Sequence, residues 1–237
     1  MTDFGLLISV MVAFAVAGAV CRVRWSLQTT DGETGFVDVT LGAAIAGLVF
    51  GRLTTVVMDD PAAVRDVSDL LVLRAGVEFW PGLLAAGVAA WWSARRDGVG
   101  PLERIAELAA PAMLAYGTFE LGCLVRGGCY GPQSSIGLRP GGFTVAMIPV
   151  GAIVGLVIAM ASVVVHAISR QSPRSIVPIL VGVWIVATCR SVASFWLPRL
   201  GAALTRQHLA SLAVSAASTV ALAAWGLTHA RQHRAAR

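Results

Sequence analysis

Residues 105–131 read IAELAAPAMLAYGTFELGCLVRGGCYG, an apolar run that ends in glycines, two cysteines, Glu120 and Arg126. A bilayer core about 30 Å thick is crossed by roughly 20 mostly apolar residues of helix. The stretch meets that length, yet it carries Tyr116 and Glu120 inside the apolar part. An acid held within a span is costly and is a functional hypothesis by default.

The rest of the chain has the same character. Of its 237 residues 57% are hydrophobic and 13% are charged, where a soluble domain carries about 25% charged residues. Mean hydropathy is +0.76. No core that this length could enclose would hold so much apolar surface, so the chain reads as an integral membrane protein. Every one of its 18 basic residues is arginine, and the net charge is +5. The arginines are scattered and form no basic patch, which argues against a nucleic-acid partner. The N-terminus lacks a basic leader before its apolar run, so it reads as a retained span and not as a cleavable signal.

Seven windows are long and apolar enough to span: 4–22, 39–58, 75–94, 105–125, 143–168, 176–197 and 208–227. Short polar connections join them, which predicts one all-α domain over 1–237, a seven-transmembrane-helix bundle. Arg22, Arg24, Arg95, Arg96, Arg104, Arg170, Arg174, Arg231, Arg234 and Arg237 fall on one side of that arrangement. Arg65, Arg126, Arg139, Arg199 and Arg206 flank the other side. The positive-inside rule then places the N-terminus outside and the C-terminus inside. In the second span, AAIAGLVFG (43–51) offers small residues for close helix packing.

Four ionisable residues within the spans are singled out as functional candidates: Arg52, Glu78, Glu120 and Arg190. At 1.5 Å per residue all four lie roughly 5–10 Å below the outer interface. Two cations and two anions at one depth suggest a polar chamber opening outward; the alternative is paired struts holding the bundle. Tyr116, Glu120 and Cys123 recur at helical spacing and share a face, continued by Gly127. Tyr116 is placed to donate to an ester or phosphate oxygen. Trp80 and the pair Trp91–Trp92 are more ordinary aromatics, the pair suiting an interface belt. Cys123 and Cys129 flank a glycine turn on the outer side, and three readings stay open: a disulfide, inert thiols, or a nucleophile at Cys123 activated by Arg190. Two cysteines without a nearby histidine give at most half a zinc site, so no metal is expected.

Several segments together resemble the bacterial prolipoprotein diacylglyceryl transferase family. Phe4-Gly5 stands where that family has Tyr-Gly, and AAIAGLVFGRLTTVV (43–57) is similar to its second helix with Gly-x-Arg-Leu. EFWPGLLAAGVAAWWSARR (78–96) resembles its third helix, and residues 103–131 its Ala-Pro segment running into the Gly-Arg-x-Gly-Asn signature. VGVWIVATCRSVASF (181–195) is similar to the helix carrying the family's arginine, and TRQHLASLAVSAAS (205–218) to its Gln-x-x-Ser start of the last helix. Arg52, Pro111, Gly122, Gly127, Gly131 and Arg190 match the family pattern. Phe4, Trp80, Glu120 and Cys123 depart from it, standing for tyrosine, histidine, arginine and asparagine.

The resemblance implies a multi-pass protein of the bacterial plasma membrane. It implies transfer of a diacylglyceryl group from phosphatidylglycerol to the cysteine thiol of a prolipoprotein, with no cofactor. Such a reaction needs cations for the phosphate leaving group and a route for the thiol proton. Arg190, Glu120 and Cys123 are the expected catalytic groups. Arg52, Glu78, Trp80, Tyr116, Gly122, Arg126 and Gly131 are the expected substrate-binding ones. The alternative is a non-catalytic member that binds phospholipid headgroups or serves as a subunit of an envelope complex.

Overall fold

The computed structural model describes residues 2–25, 36–59, 77–126, 129–139, 144–172, 174–197 and 205–235, and side chains outside 2–7, 21–25, 36–38 and 229–235. In chain order the elements are α1 (Thr2–Trp25), α2 (Phe36–Asp59), α3 (Phe79–Arg96), α4 (Pro101–Leu121), α5 (Cys123–Arg126), β1 (Gln133–Leu138), α6 (Val150–Gln171), α7 (Val177–Trp196) and α8 (Arg206–Ala235). Among the described residues, Val39–Asp59, Pro101–Arg126, Val150–Gln171, Val177–Trp196 and Arg206–Thr228 are long and apolar enough to cross a membrane, and Ile8–Val20 is a shorter apolar helix. The protein is therefore a helical, multi-pass membrane protein. Phe4 and Gly5, quoted above for the first helix, and Gly127 lie outside the residues whose side chains are described.

The chain divides into two compact units, Arg22–Ile105 and Met1–Cys21 with Ala106–Arg237. In the former, α2 and α3 meet through glycine. A Cβ on Gly82 would stand 2.7 Å from the Gly47 carbonyl oxygen, and one on Gly51 2.8 Å from that of Glu78. Only glycine permits so close an approach of two backbones. The small residues of 43–51 thus serve packing, and the contact is fastened by Glu78 N–H donating to the Gly51 carbonyl at 3.1 Å.

At the other end of α3, Gly98 takes a left-handed φ of +70°. Val99 N–H returns to the Ala94 carbonyl at 2.9 Å, the glycine-terminated helix ending. Pro101 then opens α4, where its missing N–H costs nothing. The turn is tied by Arg104 Nη2 to Asp97 Oδ2 at 3.4 Å, both groups nearly inaccessible at 1% and 6% exposure.

In the other unit α4 and α6 come together at Gly117 and Gly155, where a Cβ on either would stand 2.6 Å from the other's carbonyl oxygen. Ser169 Oγ donates to the Ala106 carbonyl at 3.1 Å and fixes the opposite end of that pair. Helices α7 and α8 are laced by side chains: Trp184 Nε1–H donates to Thr219 Oγ1 at 2.9 Å, and Thr188 and Ser215 share a hydroxyl bond at 2.9 Å.

Two elements differ from the expected pattern. The window 143–168 becomes a helix only from Val150, because the residues before it enter a small antiparallel pairing with β1. Ser134 N–H donates to the Ala146 carbonyl at 3.0 Å and Ile148 N–H to that of Pro132 at 3.2 Å. The run VAMIPV (145–150) is apolar without a readable period, and Pro149 stands at the helix N-cap. Glu78, expected inside the third helix, occupies the N-cap position before Phe79.

Candidate active site

The chemistry-bearing groups of the unit Met1–Cys21 with Ala106–Arg237 converge on Arg190, near the end of α7. Its Nη1 donates to the Tyr116 hydroxyl. Its Nη2 donates to Gln207 Oε1 at 3.0 Å. Glu120 Oε1 lies 4.0 Å from Nη1, with the two side chains only 18% and 23% exposed. Tyr116 and Glu120 stand one turn apart on α4, so their shared face delivers both to one guanidinium. Tyr116 and Glu120 also interact electrostatically with each other, so the guanidinium, the phenol and the carboxylate form one cluster. Arg190 also lies 5.6 Å from the Tyr116 ring centroid.

Arg126 comes to the same carboxylate from α5. Its guanidinium carbon sits 3.9 Å over the Phe119 ring, and it interacts electrostatically with both Glu120 and Tyr116. Its Nη1 is buried without a hydrogen-bond partner among the described residues. Two guanidiniums against one carboxylate leave one positive charge over. That arrangement suits an anion with oxygens to spare, a phosphate above all.

The helical hydrogen bonding runs on from α4 into α5 with one irregular residue at Gly122. Gly122 N–H donates to the Thr118 carbonyl at 3.1 Å, and the N–H groups of Val125 and Arg126 donate to the Gly122 carbonyl at 3.0 and 3.1 Å. Cys123 is joined to Cys129 by a disulfide with Cα atoms 5.6 Å apart. Both cysteines are buried, with Ala152 and Leu121 packed against them, and Gly151 N–H donates to the Cys129 carbonyl at 3.1 Å. A bonded sulfur has no proton to give and no lone thiolate, so the nucleophile reading of Cys123 does not describe this state. Gly122 and Gly131 also have packing reasons. A side chain on Gly122 would strike Ser9, and one on Gly131 would meet Val150 at 2.6 Å.

Arg52, Glu78 and Trp80 belong to the unit Arg22–Ile105. Arg52 is 7% exposed and Trp80 8%, the latter edge-on to Phe79 at 5.0 Å between ring centroids. Glu78 N–H reaches Thr55 Oγ1 at 3.0 Å in addition to the Gly51 carbonyl. The four charges assigned to one chamber therefore divide two and two between the units. Among the described residues no group of three His, Cys, Asp or Glu side chains gathers as a metal ligand set.

Two functional candidates escaped the sequence reading. Gln207 is neutral, and a search for charges within spans passes over it. His208 follows it, 2% exposed, with Nδ1 bonded to Ser194 Oγ. Only a charge-blind reading of the quoted Gln-x-x-Ser segment would have drawn attention to either.

Comparison with known proteins adds to this geometry. A family model described as prolipoprotein diacylglyceryl transferase matches residues 2–227. The chain is also similar to a phosphatidylglycerol–prolipoprotein diacylglyceryl transferase of Rhodococcus jostii (strain RHA1), with 31% identity over 132 residues. Those residues are 52% of this chain and 36% of that protein, so the match spans about a third of the relative's length.

Proposed function

The chain belongs to the prolipoprotein diacylglyceryl transferase family, and from that premise we propose that it moves a diacylglyceryl group from phosphatidylglycerol to the thiol of a prolipoprotein cysteine. The observation that carries this reading is the excess of guanidinium over carboxylate around Arg190. An enzyme expelling a phosphate must absorb negative charge as the ester bond breaks, and preorganised cations in a dry site do so most effectively. Arg190 is held by Tyr116 and Gln207, so its donors need no reorganisation during the reaction. Arg126 supplies a second cation within reach of the same carboxylate.

Glu120 then has the role of a counter-charge. It holds Arg190 and Tyr116 in the substrate-free protein and yields the cations to the incoming phosphate. Within their own unit, Arg52, Glu78 and Trp80 are proposed as lipid-binding residues. The disulfide, with Gly122 and Gly131, shapes the backbone that presents Arg126. The reading includes seven spans in the bacterial plasma membrane, N-terminus out and C-terminus in, with the cluster toward the outer side.

The test is direct transfer. Purified protein in lipid nanodiscs is given phosphatidylglycerol and a synthetic lipobox peptide, and diacylglyceryl peptide is followed by mass spectrometry. Product is expected from the wild type, and none from Arg190→Ala. Phosphatidylglycerol binding without any transfer at high protein concentration would select the alternative, a headgroup-binding member without turnover.

A further inference from the structure

We infer that His208 is the group that accepts the thiol proton, its Nε2 held as a bare acceptor by a hydroxyl relay through Ser194. This rests on the transfer reaction proposed above. The relay follows from proton counting. Ser194 Oγ–H donates to the Ser191 carbonyl at 2.7 Å, and a carbonyl has no proton to return. The Ser194 oxygen therefore faces His208 Nδ1 as an acceptor, and Nδ1 carries the imidazole hydrogen. Nε2 is left with its lone pair.

Nε2 is buried and has no hydrogen-bond partner among the described residues, on a side chain only 2% exposed. A buried acceptor left unmatched is costly, and a native protein rarely keeps one without use. A purely structural role accounts for Nδ1. The contact with Ser194 continues the polar lacing of α7 and α8 that Trp184–Thr219 and Thr188–Ser215 begin. It gives no reason for the imidazole's second nitrogen.

Placement ties the imidazole to the phosphate end of the reaction. Ser194 follows Arg190 by one helical turn on α7, about 6 Å along the axis. On α8, His208 directly follows Gln207, which bonds Arg190. The same two helices thus fix a base and a cation about one turn apart. An in-line displacement sets nucleophile and leaving oxygen on opposite sides of one carbon, with reacting atoms about 3–3.5 Å apart beforehand. A spacing of one turn suits that array.

In the step itself the thiol proton passes to Nε2 and the sulfur forms its bond to the glycerol carbon of phosphatidylglycerol. The bond from that carbon to the phosphate oxygen breaks, and its electron pair leaves with glycerol phosphate toward Arg190. The imidazolium returns its proton to the departing phosphate or to water. The Phe195 ring, edge-on to the imidazole at 4.8 Å and 61% exposed, is the side chain whose rotation would uncover it. Glu120 is less suited to the task, being engaged by Arg190 and Tyr116.

The experiment uses full-length protein in nanodiscs with phosphatidylglycerol and a synthetic lipobox peptide. His208→Gln should lower kcat by about 10²–10⁴-fold with KM for phosphatidylglycerol unchanged. His208→Ala should regain turnover on addition of free imidazole, which a strut would not allow. Wild-type turnover in His208→Gln, or a folded His208→Ala that imidazole leaves inactive, overturns the assignment. Should the wild type transfer no lipid, the rate at which iodoacetamide alkylates the bound peptide's cysteine is read instead. Faster alkylation with wild type than with His208→Gln keeps the base while the transfer reading falls; equal rates overturn the base.

Discussion

Arg190 is gripped by side chains from α4 and α8, and that grip needs the planar fork of a guanidinium. One nitrogen serves Tyr116, the other Gln207; an ammonium is a point charge and cannot hold both in a fixed plane. Arg190→Lys is therefore expected to keep the charge and still lose about 10²-fold in turnover, the typical worth of a misdirected transition-state donor; a kinetic comparison with wild type in nanodiscs decides it. Glu120→Gln keeps the shape and removes the negative charge. Unit charges 4 Å apart interact by about 1–4 kcal/mol between bulk water and a surface-like medium. Glycerol phosphate should then bind about tenfold more tightly, a factor worth about 1.4 kcal/mol, and calorimetric titration measures it. Unchanged affinity would remove Glu120 from the phosphate site.

At the scale of elements, α4 is positioned by absence of side chains as much as by their presence. Gly117 and Gly155 bring the α4 and α6 backbones into contact, and this sets where Tyr116 and Glu120 project. Gly155→Val would force the helices apart at a cost of about 1–3 kcal/mol. It should lower thermal stability in detergent and reduce transfer, since a Cβ at 155 would also stand 3.0 Å from the Glu120 Cβ. The short α5 is tied back by the disulfide across a sequence separation of 6. A bridge of so small a loop is worth about 2 kcal/mol by loop-closure entropy. The double substitution of Cys123 and Cys129 by serine should destabilise the protein by that order while leaving measurable transfer. Complete loss of activity in a folded double variant would return the sulfurs to the chemistry.

On the scale of the whole molecule, the proposed orientation of the spans rests on the arginine distribution. An epitope tag at the N-terminus should be reached by antibody in intact spheroplasts, and one at the C-terminus only after permeabilisation; the reverse labelling would invert the proposed topology. Helical membrane character was legible in the sequence because hydrocarbon imposes one simple condition, long apolar segments with internally satisfied backbones. Arg190, Tyr116 and Glu120 were legible for the same reason, since polar groups inside such segments stand out. The β1 pairing was not, because VAMIPV is as apolar as a span and shows no period until a partner strand is present. The state of Cys123 was left open, because spacing along the chain does not say whether a second sulfur returns to bonding distance. Gln207 and His208 carry no formal charge that a hydropathy reading would notice. What the sequence by itself determined was which segments are helices in lipid and which charged residues are confined among them, both properties of single segments against their solvent. The tertiary structure alone decided that Gln207 holds Arg190, that Cys123 is joined to Cys129, and that His208 Nδ1 meets Ser194, because each depends on two segments meeting at hydrogen-bonding or bonding distance.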